Sequence, residues 1–518
     1  MKMHVAVLIL LAGLNFSTKA HATPEELHAL ELHAFPWESQ IQREAPLSDH
    51  FFPFQNPPLG LECIPPELQN LSYAIYPTSQ DYNTARLNFN KRFVYFPKAI
   101  LAPTTHAEAK HVLKAFKKHH LKFSVRSGGH CFEPGSLSSD YIFDLQNFNA
   151  IIPDLESSEV YIGAGCRLQT VIDALGAIDY AIPTGTCPTV GVAGLTLGGG
   201  IGLIDRSFGL TCDSVKSIIL LTANAKIIEV NAEHHPDLFW ALRGGGNGSY
   251  GIVLGFIFHM HYIPEVTFYE LIWEWDSAKI SPIFHAWQKW VQTLPNKITS
   301  VLGIRHPNDI CAEPDNTPPV VIRIFGLKIG SEKFDEWKKA FKDLKPQVKL
   351  FKGNYLTISK YWASEPKLPF NKAKSRILQK PITKDAIKEI TAFFQKLDAR
   401  NPDYLVYFNF EALGGKISEK HTAFFPRDAF GWWYQAYYWD RPEQNEEVLA
   451  LSRQFYAKIP AEVSKFCYAN IVDYDIGKDY LKLYYGNHVK ALIEIKDKYD
   501  PTNFFHWKQS IPTSTSSN

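Results

Sequence analysis

Residues 123–130 read Phe-Ser-Val-Arg-Ser-Gly-Gly-His, and this stretch decides the fold. Phe123–Val125 is a predicted strand that runs directly into a loop with two glycines. Two more glycine-rich stretches follow, at Gly185–Gly202 and Arg243–Gly251. Any one of these loops has the alternative of being a tight turn. Because such loops bind phosphate oxygens through backbone N–H groups, three together indicate a site for an extended ligand with a pyrophosphate.

Strand and helix patterns alternate around these loops. Thr105 and Glu108 have the spacing of a capping box, followed by apolar residues at helical spacing as far as Phe116. Helices are also predicted from Leu168 to Leu175 and over Asp237–Leu242. Further strands are predicted over Tyr95–Ala102, Tyr141–Leu145, Val160–Gly163, Val215–Leu221, Lys226–Val230 and Ile252–Tyr262.

The pattern changes after residue 264. Predicted strands with apolar alternation are now separated by helices of mixed charge, which favours an antiparallel sheet with helices on one face. The strands are Tyr269–Trp275, Val320–Leu327, Tyr404–Glu411 and Trp433–Trp439, and the helices are Glu332–Leu344 and Glu443–Ile459. We therefore predict a first domain over 91–264, a second over 265–464, a segment over 465–512 that returns to the first domain, and a tail over 513–518.

The N-terminal region is interpreted as a leader and an extension. Val5–Phe16 is apolar but too short to span a bilayer, and Ala20-His21-Ala22 supplies the small residues of a cleavage site. Residues 1–22 are therefore predicted to be a signal peptide and 23–90 an extension that wraps the first domain. We expect an exported protein, periplasmic or secreted, that is not held in a membrane.

The charge and cysteine patterns exclude several classes of protein. The 518 residues contain 54 Lys and Arg against 53 Asp and Glu, so no basic field favours nucleic acid or an anionic membrane. The seven cysteines lack the spacing of a zinc site, and we predict no metal centre. We expect a monomer with a small-molecule substrate.

The Gly246–Gly251 stretch matches the GxGxxG pattern, but its surroundings argue against a Rossmann fold. A helical pattern precedes it and an apolar strand follows, which is the reverse of the required order. No acidic residue lies about 20 residues further on. A nicotinamide dinucleotide fold is therefore not predicted.

Five motifs in order resemble the berberine-bridge-enzyme-like FAD oxidoreductases, within the vanillyl-alcohol-oxidase/PCMH-type superfamily. They are Arg126–His130, Cys187–Gly194, Gly198–Gly200, Asp237–Gly246 and Lys498–His506. The resemblance implies an α+β protein. Its PCMH-type FAD-binding domain would consist of two α/β subdomains, beside a substrate domain with an antiparallel sheet covered by helices.

The resemblance also implies FAD attached twice, through His130 to the C8 methyl group and through Cys187 to C6 of the flavin. Imidazole and thiolate are suitable nucleophiles for this attachment. Taken alone, His130 is equally an ordinary loop histidine, and Cys187 a buried thiol or half of a disulfide. The cofactor-binding residues implied are Arg126, Ser127, Gly128, Gly129, His130, Cys187, Thr189, Val190, Gly191, Gly194, Leu195, Gly198, Gly199, Gly202, Gly251, Ile252, Asn503 and Phe504.

Two of these positions bear on flavin reactivity. Val190 falls where a small residue in the family gives oxygen access to the flavin, which implies an oxidase, although a core valine is equally natural here. Leu195 stands where many relatives have a histidine that contacts the ribityl chain. The sequence therefore loses one hydrogen-bond donor to the cofactor.

The catalytic base departs from the family pattern. Relatives commonly have Tyr-x-Asn-Tyr where this chain has Tyr468-Ala469-Asn470-Ile471, so the usual proton acceptor is replaced by Ile471. Plant relatives use a Glu in the region of Gly431–Trp439, which here contains no carboxylate. Hydride removal from an alcohol needs a base near the hydroxyl. The candidates are Tyr468, Gln435, Tyr437 and Glu411, followed by Tyr474 and Asp473.

The sequence thus predicts an FAD oxidase that removes hydride from the C–OH group of an oligosaccharide hemiacetal or small alcohol, with reoxidation by O₂. Two alternatives remain. One is an FAD dehydrogenase with another electron acceptor. The other is a flavin-carrying binding protein with little turnover, because the usual base is missing.

Overall fold

The computed structural model describes residues 61–306, 320–363, 368–400, 404–459 and 465–516. The predicted signal peptide and most of the predicted extension lie outside these residues, so neither is described. The described part of the extension contributes Ala74–Ile75 to a sheet of the first domain. Among the described residues, no helix is both long and apolar enough to span a bilayer.

The first sheet has four strands in the order β1-β2-β4-β3, and its three last members run parallel. A helix, α2, follows β2 and begins with the predicted capping box: Thr105 Oγ1 accepts from the Glu108 N–H at 3.1 Å, and the Glu108 carboxylate accepts from the Thr105 N–H at 3.1 Å. The strands are β1 (Ala74–Ile75), β2 (Ala99–Leu101), β3 (Phe123–Arg126) and β4 (Tyr141–Asp144); the helices are α1 (Tyr82–Ala85) and α2 (His106–Lys118).

The second sheet has five antiparallel strands in the order β5-β6-β10-β8-β9. It shares one continuous apolar core with the first sheet, which is why the two subdomains form one body. Its strands are β5 (Ile151–Asp154), β6 (Glu159–Gly163), β8 (Val215–Leu221), β9 (Ile227–Asn231) and β10 (Ile252–His259); β7 (Tyr180–Ala181) and β11 (His261–Tyr262) form a separate pair. The helices are α3 (Leu168–Gly176), α4 (Val192–Leu197), α5 (Asp205–Phe208) and α6 (Pro236–Leu242).

The third sheet has seven antiparallel strands in the order β15-β12-β14-β13-β17-β18-β16. Three long helices, α7, α10 and α11, cover one face with a core rich in aromatic residues. The strands are β12 (Val266–Glu274), β13 (Val301–Arg305), β14 (Val321–Ile329), β15 (Gln347–Gly353), β16 (Phe370–Leu378), β17 (Leu405–Ala412) and β18 (Gly431–Trp439). The helices are α7 (Ser277–Val291), α8 (Lys338–Phe341), α9 (Tyr355–Ser359), α10 (Lys384–Arg400) and α11 (Asn445–Lys458).

The α+β class and the helix-covered antiparallel sheet are confirmed, but three predicted elements are wrong in extent. The strand expected over Tyr95–Ala102 is reduced to Ala99–Leu101. The helix expected over Glu332–Leu344 is reduced to α8 and one turn of 3-10 helix. The strand expected over Ile252–Tyr262 is interrupted at Met260, whose backbone N–H donates to Ser158 instead. Strands β13, β15 and β16 were not predicted.

The last segment contains α12 (Tyr480–Tyr485) and α13 (Val489–Tyr499) and packs on the first domain. Its anchor is Lys496, whose buried ammonium group donates to the carbonyls of Ser249 at 2.5 Å and Phe505 at 2.7 Å and to the Asp500 carboxylate at 2.7 Å. A buried charge is stable only with such a set of partners. The segment therefore completes the first domain from the far end of the chain.

Candidate active site

A cavity of about 1590 Å³ lies between the glycine loops, the last segment and the uncovered face of the seven-stranded sheet. Ligand pockets are usually about 300–1,000 Å³. This cavity therefore has room for a dinucleotide-sized cofactor together with a substrate. Its lining includes residues of 117–123 and 502–508 and residues of strands β13, β14, β17 and β18.

Two of the predicted loops meet at a backbone contact. A Cβ atom on Gly128 would lie 2.2 Å from the Gly191 nitrogen, and one on Gly191 would lie 2.2 Å from the Gly128 nitrogen. No side chain fits at either position. The contact brings the loop that carries His130 against the loop that carries Cys187, and both residues line the cavity.

Two other glycines leave open space beside the cavity wall. A Cβ atom on Gly194 or Gly248 would have no neighbour within 4 Å, and both residues line the cavity. Bare backbone facing open space is the arrangement expected where a ligand approaches the main chain closely. The residues present thus fit an extended cofactor such as FAD.

Most of the predicted cofactor residues line this cavity, but five do not. Arg126 instead bonds through Nε to the buried Asp144 carboxylate at 2.6 Å and ties β3 to β4. The other four pack against protein: the Thr189 carbonyl against Gly128, Gly198 against Asn470, Gly199 against Phe424 and Gly202 against the Thr184 carbonyl. Those that line the cavity are Ser127, Gly128, Gly129, His130, Cys187, Val190, Gly191, Gly194, Leu195, Gly251, Ile252, Asn503 and Phe504.

His130 has an aromatic partner that sequence reasoning missed. The ring of Phe89 stacks on the imidazole, with ring centroids 3.8 Å apart. Phe89 lies within the predicted extension, where no motif pointed to it. The sequence offers one signal for this position, which is that Phe89 lies between Asn88 and Asn90, two residues whose side chains form hydrogen bonds.

The face of the seven-stranded sheet toward the cavity is a lattice of three rows, fixed by the strand register. The middle row crosses Gly303, where a Cβ atom would lie 2.9 Å from Asn409 Oδ1 and 3.6 Å from Arg323 Cγ, so the neighbouring side chains cover this glycine. The first row is Phe325, Val301, Glu411 and Trp432; the second is Arg323, Gly303, Asn409 and Tyr434; the third contains Arg305 and Tyr407.

Strand alternation places Gln435 and Tyr437 on the opposite face. Tyr437 donates to Gln435 Oε1 at 3.2 Å, and both side chains are buried toward helices α10 and α11. The residues of β18 that line the cavity are Trp432 and Tyr434. Because successive side chains of a strand alternate between faces, the predicted candidates Gln435 and Tyr437 lie on the face that points away from the cavity. Neither residue lines the cavity, which a catalytic base would have to do.

Glu411 does line the cavity, at the end of β17. Trp432, its partner across the strand pair, donates to Glu411 Oε2 at 2.9 Å, while Oε1 has no hydrogen-bond partner. Burial raises the pKa of Glu411 to about 7. Asp205 is buried nearby, and burial together with the charge of Glu411 raises the pKa of that carboxyl as well. A carboxyl group with a free oxygen and a near-neutral pKa is suited to general base catalysis.

The remaining candidates have structural partners. The Tyr468 hydroxyl accepts from the Gly200 N–H at 2.9 Å and from the Asn470 amide at 2.8 Å, and burial raises its pKa. Asp473 is ion-paired with Lys372 at 2.6 Å and Lys374 at 2.8 Å. Tyr474 lines the cavity, but its ring lies under the Lys508 ammonium group and burial raises its pKa.

Two family models match the chain in the regions that form the cavity. The model described as FAD binding domain matches residues 97–231, and the one described as berberine and berberine like matches residues 467–512. Together the two matched regions include His130 and Cys187, the predicted attachment residues, and most of the last segment.

Full-length relatives extend this similarity. The chain is 30% identical over 450 residues to the uncharacterised FAD-linked oxidoreductase YgaK of Bacillus subtilis, covering 83% of this chain and 95% of that protein. It is 27% identical to reticuline oxidase of Eschscholzia californica, covering 82% of this chain and 85% of that protein.

Solved structures share the fold. Wild-type BBE-like 1 of Physcomitrella patens superimposes with a TM-score of 0.75 at 27% identity, covering 85% of this chain and 96% of that chain. The carbohydrate oxidase of Microdochium nivale has a TM-score of 0.74 at 23% identity over 85% of this chain and 96% of that one, a likeness of fold alone. The glycine loops, the two-domain cavity and the closing segment are thus those of a known group, and the chain belongs to the berberine-bridge-enzyme-like family of FAD-linked oxidoreductases.

Proposed function

We propose that the protein is an exported, monomeric oxidase that converts a C–OH group of an oligosaccharide hemiacetal or small alcohol to C=O. FAD, when bound, supplies the acceptor for the hydride, and O₂ regenerates it as hydrogen peroxide forms. The substrate therefore loses one hydride and one proton. The chain's own task is to bind the substrate, orient it and remove the proton.

Glu411 is the group we assign to proton removal, and its position in the cavity is the observation that carries the proposal. Its Oε1 is buried without a hydrogen-bond partner among the described residues, so we assign the accepted proton to this atom, while Trp432 fixes the other oxygen. With a pKa near 7, a large share of the carboxyl group is ionised at neutral pH and ready to accept a proton. Glu411 thus takes over from the tyrosine that Ile471 replaces.

Three further features support the oxidase. His130 and Cys187 line the cavity on loops held together at Gly128 and Gly191, which is compatible with attachment of one flavin to both. Val190 also lines the cavity, so the residue proposed to admit oxygen faces the space in which oxygen would react. The same-fold structures include oxidases, and reticuline oxidase is a relative at 27% identity.

The cofactor is tested on the denatured, acid-precipitated protein. We expect a yellow pellet and a chain mass increased by one FAD. His130→Ala and Cys187→Ala should each leave one bond, and the double variant should release free FAD. A colourless pellet with FAD in solution would contradict double attachment, and no flavin at all would contradict the whole assignment.

The base is tested by anaerobic flavin reduction with a panel of sugars and alcohols. We expect Glu411→Gln to slow reduction by about 10²–10⁴-fold while flavin content is unchanged. Glu419→Gln, an exposed carboxyl outside the cavity, is the matched control. For the wild type, the reduction rate should rise as pH increases through about 7.

Electron acceptors separate the oxidase from the dehydrogenase. Stoichiometric hydrogen peroxide at a rate near that of flavin reduction is expected. Fast reduction of a dye with slow reaction with O₂ would replace the oxidase by the dehydrogenase. No flavin bleaching with any alcohol would leave a flavin-carrying binding protein.

A further inference from the structure

A second buried carboxyl group lies close to Glu411. Asp205 is the first residue of α5 and is completely buried. Glu411 is the only carboxylic acid among the described residues that line the cavity, so Asp205 is not in contact with the cavity space. Burial, and after it the charge of Glu411, raise the pKa of the Asp205 carboxyl group. The two groups therefore form a pair, with one member in the cavity wall and the other outside it.

Packing holds α5 against the end of β17. Arg206, the residue after Asp205, donates to the carbonyl of Leu413, which follows Glu411 by two residues. The residue before Asp205 packs in the same apolar cluster as Val301, the cross-strand partner of Glu411. The backbone on both sides of Asp205 is thus tied to the part of the sheet in which Glu411 lies.

Each of the two carboxyl groups has one bonded oxygen and one without a partner. Asp205 Oδ2 accepts from the Gly202 N–H at 3.1 Å, and Glu411 Oε2 accepts from Trp432 Nε1 at 2.9 Å. Asp205 Oδ1 and Glu411 Oε1 are buried and have no hydrogen-bond partner among the described residues. Two ionised carboxylates only accept hydrogen bonds, whereas a protonated carboxyl group donates to an ionised one. A single proton between these two oxygens would satisfy both of them.

The neighbouring charges do not balance two buried carboxylates. Arg206 is the basic group that acts on Asp205, and its charge lowers the pKa of that carboxyl group less than burial and Glu411 raise it. The Arg206 guanidinium is also bonded to three backbone carbonyls. The elements packed against α5 and β17 carry further charged residues, most of them held in ion pairs of their own: Asp213, Lys297, Arg305, Arg323, Lys416, Glu419 and Arg427. The pair is therefore expected to retain a proton at neutral pH.

We propose that Asp205 is a positioning residue of the active site, which keeps one proton and donates it as a hydrogen bond to Glu411 Oε1. Asp205 stays neutral while Glu411 is ionised, so the pair carries one negative charge instead of two. Oε1 has a second lone pair, which receives the proton of the substrate. The inference rests on the proposed function for the role of Glu411 as a base, whereas the shared proton requires only the two carboxyl groups.

The reaction then takes the pair from one proton to two. The O–H bond of the substrate breaks and its proton joins Glu411, while the hydride from the C–H bond passes to FAD. The second proton returns to solvent from Glu411, which lines the cavity, and Asp205 keeps the first. Asp205 thus holds the carboxylate of Glu411 in place and is unchanged after each turnover.

Infrared spectroscopy of the holoenzyme tests the shared proton, because protonated carboxyl groups and carboxylates absorb at different frequencies. Isotope labelling of the aspartate carboxyl carbon separates the signal of Asp205 from the flavin carbonyls. At about pH 8.5, ordinary carboxyl groups are ionised, and so is most of Glu411 with its pKa of about 7. We expect one protonated aspartate band to remain, to persist in Glu411→Gln and to disappear in Asp205→Asn.

The same band reports contact between the two groups. It should shift between about pH 6 and 8.5 in the wild type, as Glu411 loses its proton, and should not shift in Glu411→Gln. A wild type without the band, a band that persists in Asp205→Asn, or a band that does not shift with pH would each overturn the proposal.

The pH dependence of anaerobic flavin reduction tests the effect of Asp205 on Glu411. Asp205→Asn replaces the O–H donor by an N–H donor and should leave the midpoint within about 0.5 pH unit of the wild type. Asp205→Ala removes the donor and should raise the midpoint by about one to two pH units, because ionised Glu411 loses a hydrogen bond. Asp173→Ala, which changes an exposed aspartate of α3, is the control and should leave the midpoint unchanged.

Two outcomes of this measurement would overturn the proposal. A lower midpoint in both Asp205 variants would mean that Asp205 is ionised in the wild type. An unchanged midpoint in Asp205→Ala would mean that it donates nothing to Glu411. If Asp205→Ala does not fold, the wild type and Asp205→Asn still decide through the infrared band.

The assignment of the base and the shared proton fail separately. If Glu411→Gln leaves flavin reduction unchanged while the wild-type band of Asp205 is present and shifts with pH, the assignment of the base is wrong and the shared proton stands. If Glu411→Gln abolishes reduction but the wild type lacks this band, the base stands and the role of Asp205 is wrong.

Discussion

The phenyl ring of Phe89 lies parallel to the imidazole of His130, with ring centroids 3.8 Å apart and planes 14° from each other. The backbone on both sides of the stack is tied down as well. The Phe89 N–H donates to the Gly129 carbonyl at 2.9 Å, and the Asn90 amide donates to the Phe132 carbonyl at 2.8 Å. Phe89 therefore sets the plane of the imidazole that we assign to flavin attachment.

Removal of this ring should slow attachment of the flavin at His130. In a Cys187→Ser background, which leaves one attachment residue, we expect Phe89→Ala to lower the covalently bound fraction several-fold. Phe89→Tyr, which keeps the ring, is the control. The measurement is flavin fluorescence of the denatured chain over the course of FAD addition to apoprotein. Equal rates for both variants would show that the stack has no role in attachment.

The glycines that face open space and those that face protein should respond in opposite ways. Gly194→Ala should raise the free energy of unfolding of the FAD-free chain by about 0.5–1 kcal/mol, since alanine favours the helix Val192–Leu197, but should weaken FAD binding. Gly128→Ala meets the Gly191 backbone and should instead destabilise the chain itself. Urea unfolding and FAD titration separate the two effects. Full FAD affinity in Gly194→Ala would contradict a close approach of the cofactor there.

The stability of the protein should depend on pH through Glu411. The pKa of this carboxyl is raised by burial from 4.5 to about 7, so the folded protein holds its proton where the unfolded chain releases it. Between these pH values the folded state binds more protons, and stability falls as pH rises. Glu411→Gln should match the wild type near pH 4.5 and exceed it by about 2–3 kcal/mol at pH 8. Unfolding at both pH values checks this. A constant difference between the two proteins would mean that Glu411 is not held protonated by burial.

The buried lysines of β16 should be essential for stability. Lys374 is 1% exposed and pairs with Asp473 at 2.8 Å and Asp475 at 2.7 Å, which belong to the closing segment. Lys374→Met should cost about 3 kcal/mol because Asp473 and Asp475 each lose one ion-pair partner and keep only the others, Lys372 for both and Arg453 for Asp475. The exposed pair of Lys458 and Glu389 is the comparison, and Lys458→Met should cost less than about 1 kcal/mol. If urea unfolding gave a similar loss of stability for both variants, the buried ion pairs would contribute no more than the exposed one.

The same lysines show why part of the sheet escaped prediction. In Phe370–Leu378 every second residue from Lys372 to Arg376 is basic, which indicates a solvated segment, yet Lys372 and Lys374 are buried. Their partners lie about 100 and 240 positions away in the sequence. The local sequence pattern therefore gives no information about these ion pairs. By contrast, Val215–Leu221 was predicted with its observed bounds because its apolar side chains are buried by neighbouring strands.

The candidate site also has one part that the sequence predicts and another part that it does not. Glycine loops with a fixed spacing can be recognised in the sequence, and His130 and Cys187, which lie on two of them, both line the cavity. The substrate face depends on strand phase, and a shift of one residue exchanges Tyr434 for Gln435. Arg305 and Arg323 lie on consecutive strands, and only the register of β13 and β14 makes them diagonal neighbours on one face. Phase and register are tertiary properties, so the residues selected from sequence alone could include Glu411 but not the residues around it.

The packing of the last segment has a consequence for biogenesis. The residues that line the cavity range in sequence from Tyr95 to Lys508, and Lys496 bonds to the carbonyls of Ser249 and of the lining residue Phe505. A nascent chain that still lacks these final residues has loops but no closed cofactor chamber. We therefore expect FAD uptake to follow the synthesis of residues 496–508, and a chain truncated before Lys496 to retain no flavin.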